Sequence, residues 1–137
     1  MRILVVEDEA LIALEITIIL EQMGHEVIGI ASDHSEALEM ARDCPPDLAL
    51  VDLHLADGRT GAEVARGVRR EHNAGVLLVT SHADLAREVA DAAEGCFAKP
   101  FTSSGLRRAI NAVAACLSHT PLPQPLPAGL DLFAAAR

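Results

Sequence analysis

Short runs of mostly apolar residues recur along the chain, and between them the apolar positions fall at helical spacing. The clearest runs are Ile3-Leu4-Val5-Val6, Leu48-Ala49-Leu50-Val51, Val76-Leu77-Leu78-Val79 and Cys96-Phe97-Ala98. Such continuous runs read as strands buried on both faces. The pattern predicts strands over 2–6, 26–31, 48–52, 75–80 and 95–98. Helices are predicted over 9–23, from Ser32 or Asp33 to about Asp43, and over 61–72, 84–94 and 102–117. Ser32 or Asp33 supplies a cap, and Gly24 and Pro45-Pro46 supply stops. Strands alternating with helices in this way predict right-handed βαβ units, a parallel sheet and helices on both of its faces. The fourth helix has only Leu85, Val89 and small alanines on its apolar stripe, so it is expected to be the most mobile.

A chain of 137 residues is long enough for one domain with a real core. Half of it is hydrophobic, but with three Phe and no Tyr or Trp the core has to be built from Leu, Ile, Val and Ala. The net charge of −9 argues against a nucleic-acid surface, which needs clustered Lys and Arg. Cys44, Cys96 and Cys116 lie far apart without metal-ligand spacing, as expected of reduced thiols in the cytosol. The longest apolar stretch, 10–20, is broken by Glu15 and Thr17 and is too short to span a bilayer. No signal peptide opens the chain, so a soluble cytoplasmic protein without membrane insertion is expected. After Ser118 the composition changes: Pro121, Pro123, Pro125 and Pro127 alternate with other residues. Residues 1–118 therefore read as the domain, and 119–137 as a Pro-rich, extended tail. Its last stretch, with Leu132 and Phe133, is an apolar peptide on a stiff spacer that binds its own domain or a partner if it is anything more than a tail.

Polar residues sit at the carboxyl ends of the strands: Glu7-Asp8, Asp52, Thr80 and Lys99-Pro100. In an open α/β sheet those ends form the ligand crevice, so these residues become neighbours there. Glu7, Asp8 and Asp52 would repel one another unless a cation lay between them, and an all-oxygen set favours a hard ion such as Mg²⁺. An exposed Asp beside that ion can act as a nucleophile toward phosphorus. Thr80 and Lys99 would then bind the phosphoryl oxygens.

Val5-Val6-Glu7-Asp8-Glu9, Val51-Asp52-Leu53-His54-Leu55, Val79-Thr80-Ser81 and Ala98-Lys99-Pro100-Phe101 resemble the receiver domain of two-component response regulators over about residues 1–118. The resemblance implies a flavodoxin-like (βα)5 three-layer sandwich with a parallel five-stranded sheet of order 2-1-3-4-5. It implies a stand-alone response regulator, phosphorylated on Asp52 by a histidine kinase or histidine phosphotransfer protein. Asp8, Asp52 and the carbonyl of His54 would ligate Mg²⁺, with Glu7 acting through water. Thr80 and Lys99 would contact the phosphoryl group, and the Lys99-Pro100 bond would be cis. The protein would be no enzyme beyond its own phosphorylation and dephosphorylation. Its output would be phosphotransfer onward or binding of a downstream protein, since no output domain follows. The alternative is a receiver-fold interaction module that works without phosphorylation. A flavodoxin-like cofactor binder would need a Ser/Thr/Gly-rich loop where Glu7-Asp8-Glu9 stand, and a haloacid-dehalogenase-type phosphatase would need an Asp at His54.

The chain departs from the pattern of that family in three places. Cys96 stands where an aromatic residue is usual, with Phe97 next to it on the opposite face of the strand. The interval from Thr80 to Lys99 is short, which shrinks the fourth helix. After Asp52, Ala56 replaces the usual Pro, and Gly61 comes one residue late. Ser81, His54 and His82 are expected to modulate the site; the two histidines, each two residues beyond Asp52 or Thr80, would hydrogen-bond the phosphoryl group or the attacking water and make its lifetime pH-dependent. The first helix carries Leu11, Ile12, Leu14, Ile16, Ile18, Ile19 and Leu20 on more than one face, so its outer side offers a docking surface for a kinase helix or a homodimer contact.

Overall fold

The apolar runs form a single sheet, and residues 1–133 are described by the computed structural model. Strands β1 (Arg2–Val6), β2 (Glu26–Ala31), β3 (Leu48–Val51), β4 (Gly75–Thr80) and β5 (Gly95–Ala98) alternate with helices α1 (Ala10–Gln22), α2 (His34–Asp43), α3 (Gly61–His72), α4 (Ala83–Ala86) and α5 (Ser103–Ser118). The five strands are parallel in the order β2-β1-β3-β4-β5, the flavodoxin-like arrangement expected. Ile3, Val5, Leu50, Leu77, Val79 and Phe97 pack on one face with α1 and α5. Leu4, Val6, Val51, Val76, Leu78 and Cys96 pack on the other with α2, α3 and α4. Both faces are covered, which is why these strands carry no polar alternation.

Local chemistry sets the helix starts. Asp33 accepts a hydrogen bond from the Glu36 N–H at 2.9 Å, and Thr102 accepts one from the Gly105 N–H at 2.9 Å; each caps the helix that follows it. Asn73, in the left-handed conformation, closes α3.

Two segments differ from the sequence-based expectation. The single helix predicted over 84–94 is instead one α-helical turn, α4, followed by a 3-10 stretch over Arg87–Ala92, with Val89 out of helical geometry. The physical cause is at its end. Glu94 is buried, where it accepts from the Val76 N–H at 2.8 Å and pairs with Arg69 at 2.9 Å, so the chain must leave the helix early. A stripe of Leu85, Val89 and alanines is too small to resist that pull.

The second difference is at the end of the chain. Leu130–Leu132 forms a sixth strand, β6, antiparallel to β5. The segment read as a tail is thus part of the sheet through Phe133, whose ring is buried in the cluster that contains Cys96. Residues 134–137, the end of the expected docking peptide, lie outside the described residues.

Candidate functional site

The carboxyl ends of β1, β3, β4 and β5 place the polar residues side by side. Parallel pairing continues one residue past the strands: the Asp52 N–H donates to the Val6 carbonyl at 3.0 Å, and the Lys99 N–H donates to the Thr80 carbonyl at 3.0 Å. This brings carboxylate oxygens of Glu7, Asp8 and Asp52 within 4.8 Å of one another. Glu7 and Asp52 are buried and Asp8 is exposed. The Lys99 ammonium joins them, donating to Glu7 Oε1 at 2.5 Å and to Asp52 Oδ2 at 2.8 Å. Its bond to Pro100 is cis, as expected.

The electrostatics follow from burial. Desolvation raises the Glu7 carboxyl above its ordinary range and the nearby Asp52 charge adds to this, while the hydrogen bonds from Lys99 and the Glu9 N–H work against it. For Lys99, burial acts against the charged form, but the hydrogen bonds to Asp52 and Glu7 outweigh it and hold the ammonium above its ordinary value. The site is therefore a compensated cluster in which one cation serves two buried acids.

Thr80 is fully buried, and its hydroxyl oxygen accepts from the His82 N–H at 3.0 Å, which leaves its proton free to donate. The His54 N–H donates to Asp52 Oδ1 at 3.3 Å. The rings of His54 and His82 meet at a centroid distance of 4.1 Å, so these two residues form one rim feature. Ser81 is exposed beside Thr80.

Cys96 lies on the sheet face of Leu78, and Phe97 faces the other way. Burial, with the Asp131 carboxylate nearby, pushes the Cys96 thiol up to about 11. Its thiolate fraction at about pH 8 is therefore on the order of one in a thousand. Native-state alkylation with iodoacetamide at that pH should label half-buried Cys44 and spare Cys96, as read by peptide mass mapping. Because the thiol titrates above its ordinary value of 9.0, the neutral group supports the fold below that pH. This support is lost as pH rises from about 9 toward 11.

Residues 3–111 match the response regulator receiver domain. The chain belongs to that family. PhyR of Methylorubrum extorquens is 35% identical over 82 residues, which cover 59% of this chain and 31% of that protein. PdtaR of Mycobacterium tuberculosis is 36% identical over 112 residues, which cover 80% of this chain and 54% of that protein. The receiver thus spans from under a third to about half of these relatives. Among solved structures, the signal receiver domain of a modulated diguanylate cyclase from Desulfovibrio desulfuricans is 30% identical with a TM-score of 0.77, covering 86% of this chain and 96% of that one. The PhyR receiver domain of Erythrobacter litoralis is 25% identical with a TM-score of 0.77, covering 91% and 95%. Receiver domains bind Mg²⁺ at an acidic pocket, and here Glu7, Asp8 and Asp52 form an acidic cluster. Among the described residues, no helix is long and apolar enough to cross a membrane.

The acids, Thr80, Lys99 and the histidines are where the sequence puts them, but the tail, expected to be extended or at most a docking peptide, instead adds a strand beside β5. Gly129 and Asp131 meet β5 at Ala98 and Cys96, within three residues of Lys99, and the Phe133 N–H donates to the Glu94 carbonyl just before that strand. The signal was present: a Gly followed by alternating Leu130-Asp131-Leu132, with β5 left as an open edge by the predicted strand order.

Proposed function

We propose that this receiver accepts a phosphoryl group on Asp52 from a histidine kinase or histidine phosphotransfer protein and reports it by protein contact or onward transfer. The observation that carries this reading is the Asp52 carboxylate, held between a second acid and Lys99 at the mouth of the sheet. An Asp52 oxygen forms the new bond to phosphorus as the bond from phosphorus to the donor histidine nitrogen breaks, giving an acyl phosphate. Lys99 moves from Asp52 to a phosphoryl oxygen, and the Thr80 hydroxyl donates to another. The donor set suits a hard cation: Asp8, Asp52 and the His54 carbonyl would hold Mg²⁺, with Glu7 acting through water. When bound, such an ion would offset the negative charge of the carboxylates and of the phosphoryl group. The chemistry of the domain is its own phosphorylation and dephosphorylation.

Exposed Leu11, Leu14 and Ile18 on α1 supply an apolar surface for the donor helix. PhyR of Bartonella quintana is an anti-anti-sigma factor, which favours a protein as the output partner here. The complete set of acids, Thr80 and Lys99 favours this function over an interaction module that is never phosphorylated.

Incubation with acetyl phosphate and Mg²⁺ should give a hydroxylamine-labile phosphoryl adduct by intact mass. Asp52→Asn and chelation with EDTA should each abolish it. An adduct that persists in Asp52→Asn would refute the assignment.

A further inference from the structure

Without residues 129–133, β5 would present an open row of backbone donors and acceptors at the edge of the sheet. The tail satisfies that row. The Ala98 N–H donates to the Gly129 carbonyl at 3.0 Å, the Phe133 N–H donates to the Glu94 carbonyl at 3.0 Å, and Leu130, Asp131 and Leu132 pair with Phe97, Cys96 and Gly95. Two side chains add specificity. Phe133 is 2% exposed in the core cluster, and Asp131 pairs at 2.8 Å with Arg87, whose guanidinium lies 5.9 Å from the Phe133 ring. The edge is shaped for an incoming strand at Gly95: a Cβ there would meet the Asp131 carbonyl at 2.6 Å and Leu132 at 3.2 Å, and all three of its nearest atoms belong to β6.

An unpaired backbone edge, an aromatic pocket and a cation placed for a carboxylate are the parts of a strand-addition site. The segment that fills it is anchored chiefly by Phe133 and the Asp131–Arg87 pair. Its three strand residues are half-exposed, and it hangs on a spacer containing Pro121, Pro123, Pro125 and Pro127.

We propose that the β5 edge and the Phe133 pocket form a peptide-binding groove that the tail occupies in cis. The partner is a protein presenting an extended apolar–acidic–apolar–aromatic segment, which takes the place of the tail. The acidic position is set by Arg87, the aromatic one by the pocket, and the tight approach at Gly95 admits only backbone. A second copy of the chain is the weaker occupant, because its tail already lies in its own groove. The tethered tail competes at an effective concentration on the order of mM, so the intact chain admits a free strand poorly until the tail lifts.

The test uses the full-length chain and a fluorescein-labelled peptide of residues 126–133, titrated by fluorescence polarisation. The wild-type chain should bind weakly. Phe133→Ala in the chain should tighten binding at least tenfold. Asp131→Arg, a change at a half-exposed position outside the apolar core, should tighten it at least threefold. Gly95→Ala should also free the tail, seen as faster hydrogen exchange at Ala98, yet gain no peptide binding because the same Cβ blocks both strands. A peptide with Ala in place of its Phe should not bind. The proposal is overturned if Asp131→Arg binds no more tightly than wild type, or if Gly95→Ala binds as well as Phe133→Ala. It is also overturned if the Asp131→Arg chain elutes as a dimer, which would make a second copy the occupant.

Discussion

Replacing Lys99 with Met should lower the unfolding free energy by about 3 kcal/mol in Mg²⁺-free buffer near neutral pH, read from the urea midpoint. The Lys99 side chain is 9% exposed, and its ammonium is the cation that compensates both Glu7 and Asp52. Met keeps the length of the stem but leaves two buried carboxylates facing each other, and an uncompensated buried charge is what makes such losses large. The deficit should shrink as pH falls, because burial already favours protonated Glu7 and the proton removes the repulsion. Millimolar Mg²⁺ should recover part of it, since a divalent cation would compensate the same acids. A deficit unchanged by Mg²⁺ would count against these carboxylates as the ligand set. Phosphorylation by acetyl phosphate should be lost or severely slowed in the same variant.

Gly61→Ala should cost at least about 2 kcal/mol and also impair the site, although Gly61 carries no chemistry of its own. A Cβ at this position would lie 2.0 Å from the Asp52 carbonyl oxygen and 2.6 Å from the Leu53 Cα. Backbone has nowhere to go, so α3 must back away from the peptide that carries the nucleophile. The Gly61 N–H bond to the Leu53 carbonyl, 3.1 Å long, would be strained by the same movement. Gly67→Ala is the control. Its Cβ would meet only the tip of the Leu38 side chain, at 2.8 Å, and a side-chain tip can swing. If the two variants unfold at the same urea concentration, the backbone contact at Gly61 is not what fixes this loop.

The central strands were legible because burial on both faces leaves a continuous apolar signature: β1, β4 and β5 fall where the sequence puts them, as does the partly exposed β2, and β3 ends one residue early. The site was legible for a related reason. Parallel pairing carries residues from the ends of separate strands to one rim, so order along the chain becomes proximity. Two elements were not read correctly because tertiary contacts decide them. Nothing local to residues 84–94 shows that Glu94 is drawn into the sheet by Val76 and Arg69, which ends the helix and leaves a 3-10 turn. Nor do three residues over Leu130–Leu132 make a strand by themselves; they become one because β5 needs a neighbour and Phe133 finds a pocket. Cys96 shows the same dependence. With Cys96 on that face of β5 and Phe97 on the other, the aromatic ring in the Cys96 cluster comes from the tail, as Phe133.

The two borders of the sheet also bear on how the protein behaves in concentrated solution. β2, the other border strand, is partly exposed along most of its length, begins at a charged Glu26 and breaks register with β1 between Ile3 and Leu4. A charge and an irregularity of this kind discourage border-to-border stacking of sheets. β5 has no such defence in its own sequence: it reads Gly-Cys-Phe-Ala, apolar and uncharged. Its protection is β6. Chains in which that strand is lost leave the edge of an uncharged apolar strand unpaired, so their solubility rather than their chemistry should be the first property to suffer.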